Sequence, residues 1–449
     1  MRQKFDAIFH QSFVRSVGVL VGGTAFAQAL MVLVLPLLTR LYKPEDFSVL
    51  AVYASILGII SVAACLRLEI AIPLPQCDED AANLLALALC SSAGVAGLSA
   101  VIVWLFPVQI VQLVAQPKLQ PYLWLLPLGI WLSSSYAALQ FWTTRKKKFS
   151  LIAKTRMTQA VGGAGTQVGL GWAGIAPLGL VLGQMISSGA GIFGLARDVL
   201  KNDRVLLHSV AWPAIRRIFC EYRRYPKYSM LESLANSASA HLPILIIAAT
   251  VAGPEAGFLM LAIKVMASPM GLIGGAVSQV YISRAPEELR AGTLSKFTAN
   301  TLGGLVKTGV GPLLFAGILA PMAFPIIFGS QWQRAGDLVC WMTPWFVMQF
   351  LASPISMTLH VTQSQRTALL LQMLGLILRA GSVAIFGYLA RNFIIESYAI
   401  SGFVFYVIYL YVVIKIAKIK NKELLRAFIP TIAFVVSWTS LAILIRILL

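Results

Sequence analysis

The chain has 449 residues, 58% of them hydrophobic and 12% charged, with a formal net charge of +19 and a mean hydropathy of +0.80. Length alone would suggest about three soluble domains. Recurrent apolar runs of eighteen residues or more exclude that reading, because runs of that length cross bilayers as helices whose backbone groups pair internally.

The predicted spans, in chain order, are 14–38, 47–66, 81–106, 120–143, 151–171, 174–196, 228–250, 255–282, 301–328, 335–361, 367–390, 394–415 and 425–447. The fold class is all-α and polytopic, with about 12–13 transmembrane helices. Residues 1–196 form a six-helix lobe, 197–227 a cytoplasmic basic linker and 228–417 a second six-helix lobe. Residues 418–449 add an extra C-terminal transmembrane segment. The linker is the longest break in the apolar pattern and carries eight cations, including Arg216, Arg217, Arg223 and Arg224. Function is expected between the lobes. The span 151–171 is the most polar, with Lys154, Arg156, Gln159 and Gln167, and reads as an amphipathic helix lining an aqueous space.

Of the 36 Lys and Arg residues, 27 fall on alternate connections, while the other connections hold only Arg40, Lys43, Lys118, Arg334, Arg391 and Arg446. That bias puts the N-terminus in the cytoplasm, and an odd total of thirteen spans puts the C-terminus outside. The charge serves topology and contact with membrane lipids, and no nucleic-acid partner is expected. Arg2, Lys4 and Arg15 followed by an apolar run resemble a signal peptide, with Ala27-Gln28-Ala29 as the cleavage pattern, but the run continues through Leu38 and is too long for one. The five cysteines show no CxxC spacing and the four histidines are scattered, so neither a disulfide framework nor a metal site is expected. No GxxxxGK[ST] pattern occurs, so transport is expected to be passive or coupled to an ion, H+ or Na+, with no other cofactor. Short external loops leave no room for the catalytic residues of a membrane glycan polymerase or ligase, and no enzyme activity is expected. A structural scaffold would leave the polar stripes at mid-membrane unexplained.

An internal repeat is visible. PEDFSVLA opens the second helix of the first half at Pro44, and PEAGFLMLA opens the equivalent helix at Pro254. Pro followed by Glu suits a helix start, so convergence remains an alternative to duplication.

Charges deep in hydrocarbon cost at least about 2.5–3.5 kcal/mol and should face a cavity or a partner. Lys264 lies near the midplane on a face that reads Lys264, Ser268, Gly271, Gly275, Ser278. The alternative is that Gly271 and Gly275 only permit close packing, with Lys264 paired to a carboxylate. Arg379 continues a stripe of Gln365, Ala368, Gln372, Gly375 and Ser382, where the alternative is a buried salt bridge. Lys307 sits nearer the cytoplasmic end and can snorkel to the interface. The first helix of the second half opens with Ser229, Glu232, Ser233, Asn236, Ser237, Ser239 and His241, which need partners in a hydrated cavity or in helix–helix contacts. Gln28 is the polar amide of the opening helix. Arg67 and Glu69, at the end of the second helix, are spaced to point to different faces and are candidate gate or interface residues. The candidate binding cations are therefore Lys264, Arg379 and Lys307, and Glu232, Ser233, Asn236, Gln28 and Gln372 are candidate polar lining. A net positive cavity suits an anionic substrate; an exporter of cationic drugs would favour buried carboxylates.

PLLTRLYKPEDF from Pro36, LRLEIAIPLP from Leu66, HLPILI from His241, AGFLMLAIKVMASPMGLIGGAVSQV from Ala256, FGSQWQRAG from Phe328 and SPIS from Ser353 resemble the polysaccharide transporter branch of the MOP flippase superfamily over nearly the whole chain. The resemblance implies two six-helix lobes in a V around a central cavity, and a multi-pass protein of a bacterial inner membrane. It also implies that the protein moves a polyprenyl-pyrophosphate-linked glycan, such as an O-antigen or capsule repeat, from the cytoplasmic to the periplasmic leaflet. Its partners would be that anionic lipid-linked glycan and the glycan polymerase and chain-length proteins. The runner-up is an ion-coupled small-molecule exporter of the related multidrug branch.

Overall fold

The computed structural model describes residues 2–251 and 253–448. The side chains of 2–17, 20, 207 and 208 lie outside the description, and with them the topology cations Arg2, Lys4 and Arg15. The described residues are helical throughout, with no strand among them. The chain divides into two compact units, Met1–Tyr42 with Val49–His241, and Lys43–Ser48 with Leu242–Leu449.

The first unit is built from α1 (Arg2–Leu41), α2 (Pro44–Ala64) beyond its first turn, α3 (Asp78–Leu105), α4 (Pro107–Val114), α5 (Leu125–Arg145), α6 (Phe149–Trp172), α7 (Leu178–Gly189), α8 (Ile192–Asn202), α9 (Arg204–His208), α10 (Trp212–Glu221) and the first half of α11 (Met230–Thr250). α6 packs on α1 and α7, and α3 packs on α5. Where α3 meets α5 the buried Ser92 hydroxyl bonds those of Ser134 (2.6 Å) and Ser135 (3.1 Å), so the polar groups of a lipid-facing bundle satisfy one another. At the end of α5, Arg145 donates to the carbonyls of Pro73 (3.2 Å) and Pro75 (2.6 Å) and pairs with Asp78 at 2.8 Å, which ties down the turn before α3.

The span expected at 151–171 is a helix, α6. Two of its polar residues do not meet an aqueous space, however. Gln159 and Gln167 are 5% and 1% exposed, and the Gln167 amide donates to the Leu180 carbonyl of α7 at 3.4 Å. The linker expected as a loop over 197–227 is also largely helical. α8 extends to Asn202, α9 and α10 follow, and a π-turn over Tyr225–Ser229 leads into α11. An apolar residue among the cations explains the difference. Ile218 is buried, and α10 lies against α3, while Arg217 pairs with Asp80 at 2.6 Å and Asn83 accepts from the Ala211 amide at 3.2 Å.

The second unit holds α12 (Glu255–Arg290), α13 (Leu294–Leu305), α14 (Gly311–Phe328), α15 (Gln333–Ile355), α16 (Thr358–Val361), α17 (Gln365–Leu389), α18 (Ile394–Ile416) and α19 (Asn421–Leu448), together with the first turn of α2. α15 is its centre and packs on α12, α14 and α18. The two repeat openings meet here. A Cβ at Gly257 would run into the Pro44 carbonyl, and the buried Ser48 hydroxyl donates to the Gly253 carbonyl (2.8 Å) and accepts from the Gly257 amide (2.9 Å). Phe47 and Phe258 both meet the fully buried Trp332 edge-on, with ring centroids 4.8 and 5.8 Å away. Beside this cluster Arg334 pairs with Glu396 at 2.9 Å and Glu255 at 3.7 Å.

Eleven helical segments among the described residues are long and apolar enough to cross a membrane. Of the thirteen expected spans, the two outside that set are α5 and α6. They are 21 and 24 residues long, about 32 and 36 Å at 1.5 Å per residue against about 30 Å of hydrocarbon; their length suffices, and their polar residues lower their hydropathy. The last expected segment is a helix: α19 docks along α13 and α14, where a Cβ at Gly303 would meet the Ala427 carbonyl oxygen at 2.7 Å and one at Gly311 would meet Trp438 at 2.6 Å.

Candidate functional site: a cavity along the small face of α12

The small residues of α12 stand across from bulky ones on α15. Ala267, Gly271, Gly274, Gly275 and Ser278 line one side of a cavity of about 320 Å³, and Phe346, Gln349, Phe350 and Ser353 line the other. Gly275 separates the two sequence alternatives. A Cβ there would meet nothing within 4 Å, so its smallness keeps space open and serves no close helix contact. The side-chain amide of Gln349, the hydroxyls of Ser278 and Ser353 and the bare helix backbone supply polar groups in an apolar surround, and among the described residues no carboxylate lines the cavity.

Lys264 does not itself line the cavity; it lies on the same helical face, three residues before Ala267 and so about 4.5 Å along the axis. Its side chain is half-buried, and no carboxylate among the described residues reaches salt-bridge distance of it. Its backbone carbonyl accepts from Ser268 at 2.8 Å, so the stripe hydrogen-bonds along itself and leaves the ammonium for water or an anion.

The other two cations stand elsewhere. Arg379 is 4% exposed. Its guanidinium lies 4.8 Å from the Phe405 ring centroid and 5.8 Å from that of Tyr406. A cage of α18 aromatic rings takes the place of the salt bridge weighed from sequence, and Nε finds no partner. Lys307 is exposed, within a π-turn at Val306–Val310, with its ammonium 5.0 Å from the Phe434 ring of α19. Neither residue lines the α12 cavity.

The polar lining residues divide by partner. Ser237 donates to the Gly58 carbonyl at 2.9 Å, and His241 sits so close that a Cβ at Gly58 would lie 2.6 Å from its ring, so these two serve the packing of α11 on α2. Glu232 and Ser233 are half-buried and Asn236 is exposed. Gln28 and Gln372 are half-buried, and each has a carbonyl oxygen without a hydrogen-bond partner.

Arg67 and Glu69 do pair, at 3.4 Å, against the expectation from helical spacing. The helix ends at Ala64. Leu66 and Arg67 adopt left-handed φ values of 55° and 60°, and a 3₁₀ turn over Leu68–Ala71 follows. The reversal folds the guanidinium back onto the carboxylate two residues on. Glu69 is 5% exposed, and burial in this turn, outside the membrane-spanning helices, holds its carboxyl above the usual range against the smaller opposing effects of a hydrogen bond to its own backbone and of Arg67. Sequence reasoning gave Arg145 no role beyond topology; only the fold brings it to the carbonyls after Ile72.

The class of protein is a polytopic all-helical membrane protein. Residues 37–337 match the family model described as polysaccharide biosynthesis protein, and the chain belongs to that family. Among solved structures, the chain is similar to the lipid II flippase MurJ in its inward closed conformation, with a TM-score of 0.73, 14% identity, and 97% of this chain and 96% of that one covered. An inward-facing multidrug resistance MATE family transporter follows at TM-score 0.59 and 15% identity, covering 88% and 95%. A MOP superfamily transporter from Pyrococcus furiosus, whose binding pocket is described as reversed in polarity, gives 0.56 and 12%, covering 90% and 96%. At these identities the likeness establishes the fold. No curated protein sequence matches the chain.

Proposed function

We propose that the protein is a flippase. It translocates a polyprenyl-pyrophosphate-linked oligosaccharide, an O-antigen, exopolysaccharide or capsule repeat unit, from the cytoplasmic to the periplasmic leaflet of a bacterial inner membrane. It does so by alternating access, without catalysis, and with an N-terminus in the cytoplasm. The observation that carries the reading is Lys264, a cation without a carboxylate partner among the described residues, on a small polar face that leads to an open cavity which no described carboxylate lines. Such a face suits pyrophosphate and sugar hydroxyls, with the isoprenoid tail left in the bilayer. Membership of a polysaccharide biosynthesis family and the fold shared with a lipid II flippase support it. Export of cationic small molecules would call for carboxylates where this cavity has amide and hydroxyl groups. Arg379, Lys307, Glu232, Ser233, Asn236, Gln28 and Gln372 are secondary candidates for contact with substrate, and Arg67 with Glu69 for gating. The cations on alternate connections support the topology, and the driving force is the substrate gradient or a coupled H+ or Na+.

The test is leaflet exchange of a polyprenyl pyrophosphate bearing a short fluorescent glycan in proteoliposomes. Protein-dependent exchange is expected. Exchange equal to that of empty liposomes, with efflux of small cations instead, would overturn the proposal.

A further inference from the structure

α3, α5 and α8 of the first unit frame an open groove. Gly189 and Gly191 bring the end of α7 and the start of α8 close against α5: a Cβ at Gly189 would lie 2.5 Å from Leu132, and one at Gly191 would lie 2.5 Å from the Tyr136 ring. Beyond that crossing the three helices leave a groove of about 390 Å³. Leu85, Leu139 and Val199 form a buried floor, while Trp131, Phe193 and Leu200 form a rim that is 39%, 70% and 60% exposed. Ser135 carries the one hydroxyl on it among the described residues, and Ser92 engages that hydroxyl at 3.1 Å.

We infer that this groove is a binding site for an anionic glycerophospholipid, with one acyl chain in the groove and the headgroup phosphate at Arg197 and Lys201. The apolar lining excludes water, because apolar cavities stay dry, and so calls for hydrocarbon. The depth fits one leaflet. α3 begins at Asp78 and α8 ends at Asn202. Leu89 and Ile192, the lining residues farthest from those two ends, lie about 17 and 15 Å along their helices, near half of a hydrocarbon core of about 30 Å. The charge completes the match. Phe193, Arg197 and Lys201 follow at intervals of four on α8, about 6 Å apart, so one stripe runs from the apolar rim to two cations. Both cations are exposed, and neither has a carboxylate within salt-bridge distance among the described residues. Such side chains lay their stems on apolar surface and carry the charge to the headgroups.

The carboxylates at these helix ends are mostly held elsewhere. Asp198 pairs with Lys148 at 2.6 Å, Asp203 accepts from the Trp142 indole at 3.0 Å, Asp78 pairs with Arg145 and Lys146, and Asp80 pairs with Arg217. Glu79 is exposed and outside salt-bridge distance of any described cation, but it stands against Arg197, Lys201 and the exposed Arg204, so the balance is positive. A second copy of the chain is the other covering an apolar groove could take, and it would bring the same cations to the rim against their like. On the topology proposed from the charge bias, these ends lie at the cytoplasmic face, where anionic headgroups attract Lys and Arg.

The experiment uses the full-length protein and native mass spectrometry, which reads retention of phosphatidylglycerol against phosphatidylcholine together with the mass of the assembly. One variant removes the charge, Arg197→Gln with Lys201→Gln. Another fills the groove and keeps the charge, Ala196→Phe. Leu200→Asn, at an exposed rim position, repeats the groove arm should Ala196→Phe lower the unfolding temperature. Lys420→Gln with Lys422→Gln is the charge-matched control on a connection of the same face. Preferential retention of phosphatidylglycerol by wild type and the control, falling about tenfold or more in both the charge and the groove variants, is the expected result. A loss in the charge variant alone, or an equal loss in the control, would mark diffuse charge attraction and overturn the inference. Equal retention by every protein would overturn it too, as would a wild-type dimer that the groove variant dissociates, which would make a second copy the occupant. None of these readings depends on the translocated glycan, so this site can fail while the flippase assignment stands.

Discussion

Gly275→Leu sets fold stability against function most sharply. No atom stands within 4 Å of a Cβ at this position, so the side chain starts without a clash and extends into the cavity. In a helix interior leucine is about 1 kcal/mol more favourable than glycine. The variant is therefore expected to unfold at the wild-type temperature or above it. Its four added carbons occupy roughly 100 Å³, the space of about three waters at about 30 Å³ each, which is near a third of the 320 Å³ cavity. If substrate passes along the small face of α12, its rate in the proteoliposome exchange assay falls at least about tenfold, equivalent to about 1.4 kcal/mol on the barrier. Gly309→Leu is the opposite case. A Cβ there runs into the Phe350 ring, and the variant should lose stability by about 1–3 kcal/mol or more. A Gly275→Leu protein that is stable and exchanges substrate at the wild-type rate would refute the reasoning that this space lies on the path.

Three further expectations follow from particular contacts. Ser48→Ala leaves the Gly257 amide and the Gly253 carbonyl without their hydroxyl partner; a loss of about 1–3 kcal/mol is expected in reversible unfolding, and an unchanged midpoint would show that water replaces the hydroxyl. Because burial raises the folded-state pKa of Glu69 above its unfolded value, the stability tied to its protonated form is complete below the ordinary carboxylate range and is lost as pH rises through the raised value. Glu69→Gln should flatten that part of the stability profile, and an identical profile in the variant would reject the assignment to Glu69. Arg379→Lys should lower the unfolding midpoint even though charge is kept, since an ammonium cannot stack as a guanidinium does between Phe405 and Tyr406; a midpoint equal to wild type would mean the aromatic cage contributes nothing.

Much of the fold was legible because hydrocarbon imposes simple rules on sequence. Span length and Pro-led helix starts placed nearly all of the long helices. The motifs that carried the family resemblance prove to be packing residues in part. Phe47, Phe258 and Trp332 form one aromatic cluster, and Arg334 binds Glu255 and Glu396 beside it. What escaped the sequence depended on local reversals or distant partners. Helical spacing separated Arg67 from Glu69, but two left-handed residues rejoin them. The basic linker read as a loop because its helices are short, and they are held by distant partners on α3, such as Asp80 for Arg217 and Asn83 for the Ala211 amide. Arg379, Lys264 and Lys307 look alike in a hydropathy trace. Only the fold separates a guanidinium caged by aromatic rings from a lysine one turn before an open cavity and another over the Phe434 ring.

The most direct test of the central claim is native mass spectrometry of the purified protein with a polyprenyl pyrophosphate bearing a short glycan, comparing wild type with Lys264→Ala and Lys264→Arg. Retention of the probe by wild type and Lys264→Arg, with at least about a tenfold loss in Lys264→Ala at unchanged thermal stability, is the result the account predicts. Equal retention by all three would contradict it, because the cation beside the α12 cavity would then take no part in holding the pyrophosphate.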